Sequence, residues 1–184
     1  MAVRIVIGGP PNSGKSTLAE SLASGLRQLG VDAYAEDLDL ASPTLEFIRG
    51  AKGWGQRVGA KQEWTPELAD EAAKKFEDAS KKHAVVIGDA PGKITGESEK
   101  IASKANYALI LCREDRKEGI ERWQEFFQRL GISVVGIFIS KLAGAGNVEK
   151  KDVIRATVIG LNRTLKTDEV VLSLAALIKE ELRL

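Results

Sequence analysis

At 184 residues, with 43% hydrophobic and 29% charged side chains, the chain has the size and composition of one soluble globular domain with a full core. Its 27 Lys and Arg stand against 26 Asp and Glu, which excludes a global field that would make nucleic acid or an anionic membrane an obligatory partner. A single cysteine, Cys112, excludes an intrachain disulfide, and no apolar run reaches the length of a membrane span, so a reducing cytoplasmic setting is expected.

In chain order, Val3, Ile5, Val6 and Ile7 make a short β-branched strand running into Gly9-Pro10-Pro11-Asn12-Ser13-Gly14-Lys15-Ser16-Thr17. That stretch satisfies GxxxxGK[ST], a P-loop, and Leu18, Leu22, Leu26 and Leu29 follow at helical spacing. Such a loop turns its backbone N–H groups inward into an anion-binding nest, at which the next helix points its positive end. Gly14 permits close backbone approach, Lys15 reaches the β- and γ-phosphates, and the Ser16 hydroxyl ligates a metal. ATP and Mg²⁺ are therefore the expected cofactors, with Gly9 to Thr17 as the phosphate cradle.

Leu29-Gly30 closes this helix, and Val31 to Ala35 reads as a second strand leading to Asp37 and Asp39. Ligands of open α/β sheets bind at that strand edge, so both aspartates are candidates for holding metal-bound water or orienting a nucleophile, Asp37 being nearer the strand. A solvated acidic turn is the competing reading. From Ser42 to Thr65 the pattern loosens. Gly50, Gly53, Gly55 and Gly59 interleave with Arg49, Lys52, Arg57 and Lys61, and Glu63 is the single acid after Phe47. A basic, glycine-hinged lid or switch loop at about 47–64 is expected, against an ordinary exposed loop.

Thr65-Pro66-Glu67 announces a helix that buries Leu68, Ala72, Phe76 and Ala79. His83, the one histidine, follows as a surface or capping residue. Ala84 to Gly88 is an apolar strand that delivers Asp89 at its C-terminal end, the position of a Walker B aspartate and a metal ligand alongside Ser16. Asp89-Ala90-Pro91-Gly92 also reads as a D-x-x-G switch, with the Gly92 N–H available to a γ-phosphate. Ala90 stands where additional-strand ATPases place a catalytic Glu, which favours the kinase–GTPase branch of P-loop proteins.

Glu97 to Ala105 is expected as a short helix and Tyr107 to Cys112 as a strand. Asp115 to Leu130 follows as a long helix with Ile120, Trp123, Phe127 and Leu130 on one face, and Ile132 to Ile139 as a fifth strand. Ser140 and Ala143 stand where an N-K-x-D guanine reader needs Asn and Asp, so ATP is expected over GTP. Lys141 is left to lie along a purine face through its alkyl stem. Val153 to Leu161 is expected as a sixth strand, Asn162-Arg163 as its exit loop, and Asp168 to Leu182 as a terminal helix. Alternating strands and helices predict a three-layer α/β/α P-loop NTPase fold with a mostly parallel sheet, undivided over residues 1–184.

The P-loop, the aspartates after the second strand, D-A-P-G and the S-K strand end together resemble the SIMIBI class of P-loop proteins. That class contains ParA/MinD-like ATPases, nickel-insertion GTPases and dethiobiotin-synthetase-like enzymes. The signature lysine of the ParA/MinD subgroup would fall at Pro10, a departure that weighs against the dimer-sandwich mechanism. Gly8-Gly9-Pro10-Pro11 with Ser13-Gly14-Lys15-Ser16, Glu63-Trp64-Thr65-Pro66-Glu67 and Ala108-Leu109-Ile110-Leu111 are similar to the P-loop domain joined to a CRISPR-associated ring nuclease of cyclic tetra-adenylate. The resemblance implies a stand-alone version of that domain, with a ring nuclease or a second copy of the chain as partner.

Three functions stay open. One is an ATPase switch, with Lys15 and Ser16 on phosphate and metal, Asp89 on Mg²⁺ and Asp37 on the attacking water. Another is a small-molecule or nucleotide kinase, with the lid closing over an acceptor hydroxyl and Asp37 or Asp39 as its base. The third is a non-catalytic module that binds nucleotide or cyclic oligoadenylate.

Overall fold

The computed structural model describes residues 2–50, 53, 62–162 and 168–184. Among these, seven strands form one sheet: β1 (Val3–Gly8), β2 (Ala33–Asp37), β3 (Val85–Asp89), β4 (Tyr107–Arg113), β5 (Ser133–Lys141), β6 (Asn147–Lys150) and β7 (Ile154–Ile159). Their order is β2-β3-β1-β4-β5-β7-β6, parallel throughout except for the antiparallel β6–β7 pair. The helices are α1 (Lys15–Gln28), α2 (Leu45–Ile48), α3 (Pro66–Ser80), α4 (Gly96–Ala102), α5 (Gly119–Arg129) and α6 (Glu169–Leu182).

The two-residue period of the strands sorts the core into layers. Ile5 and Ile7 of β1, with Leu109 and Leu111 of β4, pack on Leu18, Leu22 and Leu26 of α1 and on Val171, Leu174 and Ile178 of α6. Val6, Ala108 and Ile110 point the other way, onto Trp123, Phe126 and Phe127 of α5. Val86 lies on that second side with Phe76 of α3 and Ile101 of α4. Burial on both faces explains why β1, β3 and β4 read as continuous apolar runs rather than alternating ones.

Helix boundaries follow local chemistry. Thr65 Oγ1 accepts from the Leu68 N–H at 3.2 Å with Pro66 at the first helical position, as the sequence predicts for α3. Thr95 and Ser98 form a reciprocal capping box that starts α4, and Asp168 Oδ1 accepts from the Val171 N–H at 3.0 Å to start α6. Gly30, at φ 80°, takes the left-handed conformation that ends the α1 region.

Several elements differ from expectation. β2 begins at Ala33 rather than Val31 and runs through Asp37, so Asp37 is a strand residue. The helix expected from Asp115 is instead a 3₁₀ turn, Glu114–Arg116, followed by α5 from Gly119. The short α2 and the edge strand β6 were not expected; β6 has one apolar residue in Asn-Val-Glu-Lys and is held by β7.

Because β1 lies between β3 and β4, the chain leaves β1 toward one edge of the sheet and β3 toward the other. The crevice at that switch point lies above the C-terminal ends of β1, β2 and β3. Register places Ile7 beside Asp89 and Asp89 beside Asp37. The loop leaving β1 and both strand-end carboxylates therefore meet at one edge.

Candidate functional site

The loop from Gly9 to Gly14 takes its shape from three residues at positive φ: Gly9 (151°), Asn12 (61°) and Gly14 (95°). A Cβ on Gly9 would lie 1.9 Å from the Leu111 carbonyl oxygen, and one on Gly14 would lie 2.7 Å from Leu161 Cβ. Only glycine fits either position. The loop opens into α1, whose first N–H groups have no acceptors within the helix and whose positive dipole end faces the same space. Ser13 Oγ is buried there without a hydrogen-bond partner.

Pro11 to Thr17 line a cavity of about 870 Å³ together with Asp39, Asp89 and Gly92. That volume lies within the range of small-molecule and cofactor sites. Lys15 is 7% exposed, and its Nζ donates to the carbonyls of Gly9 at 3.1 Å and Pro10 at 3.2 Å. Burial lowers its pKa, while Asp89 and Asp39 pull in the other direction. Ser16 Oγ donates to Asp89 Oδ2. Asp89 is 3% exposed, and burial raises its pKa to about 7 despite the opposing charge of Lys15. A hydroxyl and a carboxylate in contact beside the backbone N–H groups of the loop are hard oxygen donors of the kind that suits Mg²⁺. No cluster of three His, Cys, Asp or Glu side chains that could hold a metal unaided occurs among the described residues.

Asp37 does not take the place expected for it. It is not among the residues lining the cavity. Its Oδ2 accepts from the N–H groups of Thr44 at 2.6 Å and Leu45 at 2.9 Å, which fixes the start of α2. Its Oδ1 is buried without a partner, and desolvation raises its pKa to about 6. Asp39, two residues on, does line the cavity and is half-buried.

Arg49 is also placed differently from a lid residue. Its guanidinium binds Glu20 of α1 through Nε at 2.7 Å and Nη2 at 2.6 Å, donates to the Ala35 carbonyl and lies over the Tyr34 ring. Glu20 is also bound by Arg27 at 3.1 Å. Arg49 therefore fastens the end of α2 to α1 and β2, away from the cavity. The other lid candidates, Lys52, Arg57 and Lys61, lie outside the described residues.

Gly92 lies against the P-loop: a Cβ there would meet Pro11 N at 2.7 Å. Lys141 forms an ion pair with Glu114 at 2.6 Å and is not among the lining residues. Trp123 is 3% exposed and belongs to the core, as its helical spacing predicts. His83 stacks on Tyr34 and pairs with Asp32 at the surface.

Sequence reasoning missed part of the cavity wall. Leu161, read as the last residue of a strand that in fact ends at Ile159, and Asn162, read as exit loop, both line it, as do Ser42, Thr44, Gln62 and Trp64. The signal available for Leu161 and Asn162 was position, since they follow a strand at the ligand-binding edge of the sheet.

No protein-family model and no curated protein sequence matches the chain. Solved structures do. MinD of Pyrococcus horikoshii, complexed with Mg-ADP, aligns with a TM-score of 0.60 and 14% identity over 76% of this chain and 70% of that one. The cell-division ATPase MinD of Pyrococcus furiosus gives 0.61 and 12% over 96% and 80%. The signal recognition particle 54 kDa protein of Aeropyrum pernix, in complex with GDP, gives 0.56 and 22% over 78% and 36%. None of the three carries the ring-nuclease association in its name. At such identities the likeness is one of fold: the chain has the three-layer α/β/α architecture of MinD-like P-loop NTPases.

Proposed function

We propose that the chain binds Mg²⁺ and ATP at the Pro11–Thr17 cradle and hydrolyses the nucleotide slowly, with the Asp89–Gly92 loop moving as the switch. The carrying observation is the contact between Ser16 Oγ and Asp89 Oδ2 beside Lys15 on the wall of the 870 Å³ cavity. In this reading the loop N–H groups and the start of α1 receive the polyphosphate. Lys15 Nζ exchanges the Gly9 and Pro10 carbonyls for phosphate oxygens. Ser16 and Asp89 would hold Mg²⁺, which supplies counter-charge to the phosphates. Asp39 orients the attacking water. The water's oxygen bonds to the γ-phosphorus as the bridging P–O bond breaks, that bond's electron pair stays with the ADP oxygen, and both water protons leave on the released phosphate. Asp37 supports this by pinning the segment that carries Asp39. Ser140 and Ala143 set the preference for ATP over GTP.

One observation favours a second reading, phosphoryl transfer to a small molecule or nucleotide. Besides the cradle residues, Ser42, Thr44, Gln62 and Trp64 line the same cavity, polar and aromatic groups that the phosphate cradle itself does not use. There Asp39 would take the acceptor proton, and Lys52, Arg57 and Lys61 would form the basic lid. Incubation with γ-labelled ATP and Mg²⁺, with and without a panel of metabolites and oligonucleotides, decides between the two: label released as inorganic phosphate in every case supports the switch, and label on an acceptor supports the kinase. The sequence resemblance supplies a ring nuclease as the partner such a switch would serve. ATP-dependent co-elution of the two proteins tests that, and co-elution regardless of nucleotide counts against it.

A further inference from the structure

We propose that a second cavity, across the Pro11–Gly92 contact from the phosphate cradle, binds the anionic group of a small molecule, a phosphate ester or a carboxylate. This cavity holds about 360 Å³, the size of a small metabolite's site. Pro10, Pro11, Gly92, Lys93, Arg122 and Trp123 line it, and among the described residues no acidic one does. In a chain whose net charge is +1, two cations facing one hollow without an acid is a local excess that an anion would neutralise.

The side chains of Lys93 and Arg122 are exposed and, among the described residues, make no ion pair or hydrogen bond. On the same side of the sheet Lys100, Lys104 and Arg129 each hold a carboxylate. The pairing of Arg122 with Lys93 has chemical sense: a guanidinium grips two oxygens of a carboxylate or phosphate in its planar fork, and an ammonium adds a point charge. Trp123, 3% exposed and packed at 5.4 Å in a T-shaped contact with Phe126, is the aromatic residue of the lining. Gly119, the first residue of α5, also lines the cavity; Glu118 at that helix start and Glu121 in its first turn offset the helix's positive end, so the attraction for an anion rests on Lys93 and Arg122 themselves.

The two cavities share a wall. Pro11, Gly92, Lys93 and Thr95 line both. A Cβ on Gly92 would lie 2.7 Å from Pro11 N and 2.8 Å from Pro11 Cα, so the P-loop and the Asp89–Gly92 loop touch backbone to backbone. A ligand in the second cavity therefore bears on the same two loops as the nucleotide, and each changes the other's affinity by the same factor. This coupling rests on the proposed nucleotide function; the anion site itself does not.

Calorimetric titration of the chain with glycerol 3-phosphate and, separately, with succinate tests the site, first without nucleotide and then with Mg-ADP saturating. Saturable binding of at least one probe is expected, and which probe binds separates phosphate from carboxylate. Arg122→Gln should weaken it by about tenfold, the loss of one charge-assisted contact, and Lys93→Gln/Arg122→Gln further, with melting temperatures unchanged. Lys15→Ala should keep the probe affinity measured without nucleotide. Loss of probe binding in Lys15→Ala would put the probe in the phosphate cradle and overturn the site. So would no binding of either probe, or equal affinity in the double variant. A dimer seen by light scattering that the double variant splits, with neither probe bound, would assign the two cations to self-association instead. Equal probe affinity with and without Mg-ADP overturns the coupling alone.

Discussion

Asp89 and Asp37 sit side by side at the ends of β3 and β2, and burial makes each harder to ionise than a surface carboxylate. Their roles differ because their partners differ: Asp89 meets a hydroxyl at the cavity wall, Asp37 meets two backbone N–H groups that begin a helix. Asp89→Asn should spare nucleotide binding, lower turnover about tenfold or more and flatten its Mg²⁺ dependence, as read from turnover against Mg²⁺ concentration. Turnover and metal dependence equal to wild type would reduce Asp89 to a strand-ending turn residue. For Asp37 the folded pKa of about 6 exceeds the usual 3.8, so between these values the folded chain binds more protons than the unfolded one. The contribution of Asp37 to stability therefore falls as pH rises from about 4 to about 6. Asp37→Asn keeps an acceptor for Thr44 and Leu45 and removes the charge. It should be more stable than wild type at pH 7 by up to about 3 kcal/mol, a gain that vanishes toward pH 4 in chemical denaturation curves. A variant less stable at pH 7 would show that the charge itself holds α2. At this scale the sequence was legible where a motif fixes spacing, as from Gly9 to Thr17. It was not legible for Asp37 against Asp39, because a strand start shifted by two residues decides which carboxylate reaches the cavity.

The element that changes the reading most is α2, a four-residue helix with no side-chain cap of its own. Asp37 holds its start, and Arg49 at its end reaches Glu20. Glu20 is 7% exposed, so it depends on Arg49 and Arg27 for charge compensation. Arg49→Ala should therefore cost on the order of 1–3 kcal/mol of folding stability while turnover per folded molecule stays near wild type. The reverse result, lost turnover at full stability, would return Arg49 to a lid. Its charge and its glycine neighbours gave no hint of this, since composition does not say what an arginine reaches. Edge strand β6 was equally silent, because its pairing with β7 comes from tertiary contact rather than from an apolar pattern. By contrast α1, α3 and α6 were legible from apolar spacing, and α3 from its Thr-Pro start.

Across the whole molecule, the strand–helix alternation was enough to foresee a parallel sheet covered on both sides, and the order β2-β3-β1-β4 puts the ligand edge where the P-loop leaves β1. What alternation does not specify is where distant loops meet. Leu161, Asn162 and Trp64 reach the cavity from far along the chain, and no local pattern marks them. Base choice belongs to this scale too: with Ser140 at the end of β5 and Ala143 beyond it, ATP should outcompete GTP, and displacement of ATP by GTP at lower concentration would reject that preference. The central claim is a phosphate cradle organised by Lys15. Calorimetric titration of wild type and Lys15→Ala with Mg-ATP, alongside their melting curves, tests it most directly. The account predicts saturable one-site binding by wild type and none by a Lys15→Ala variant that still folds; equal binding by both would contradict it.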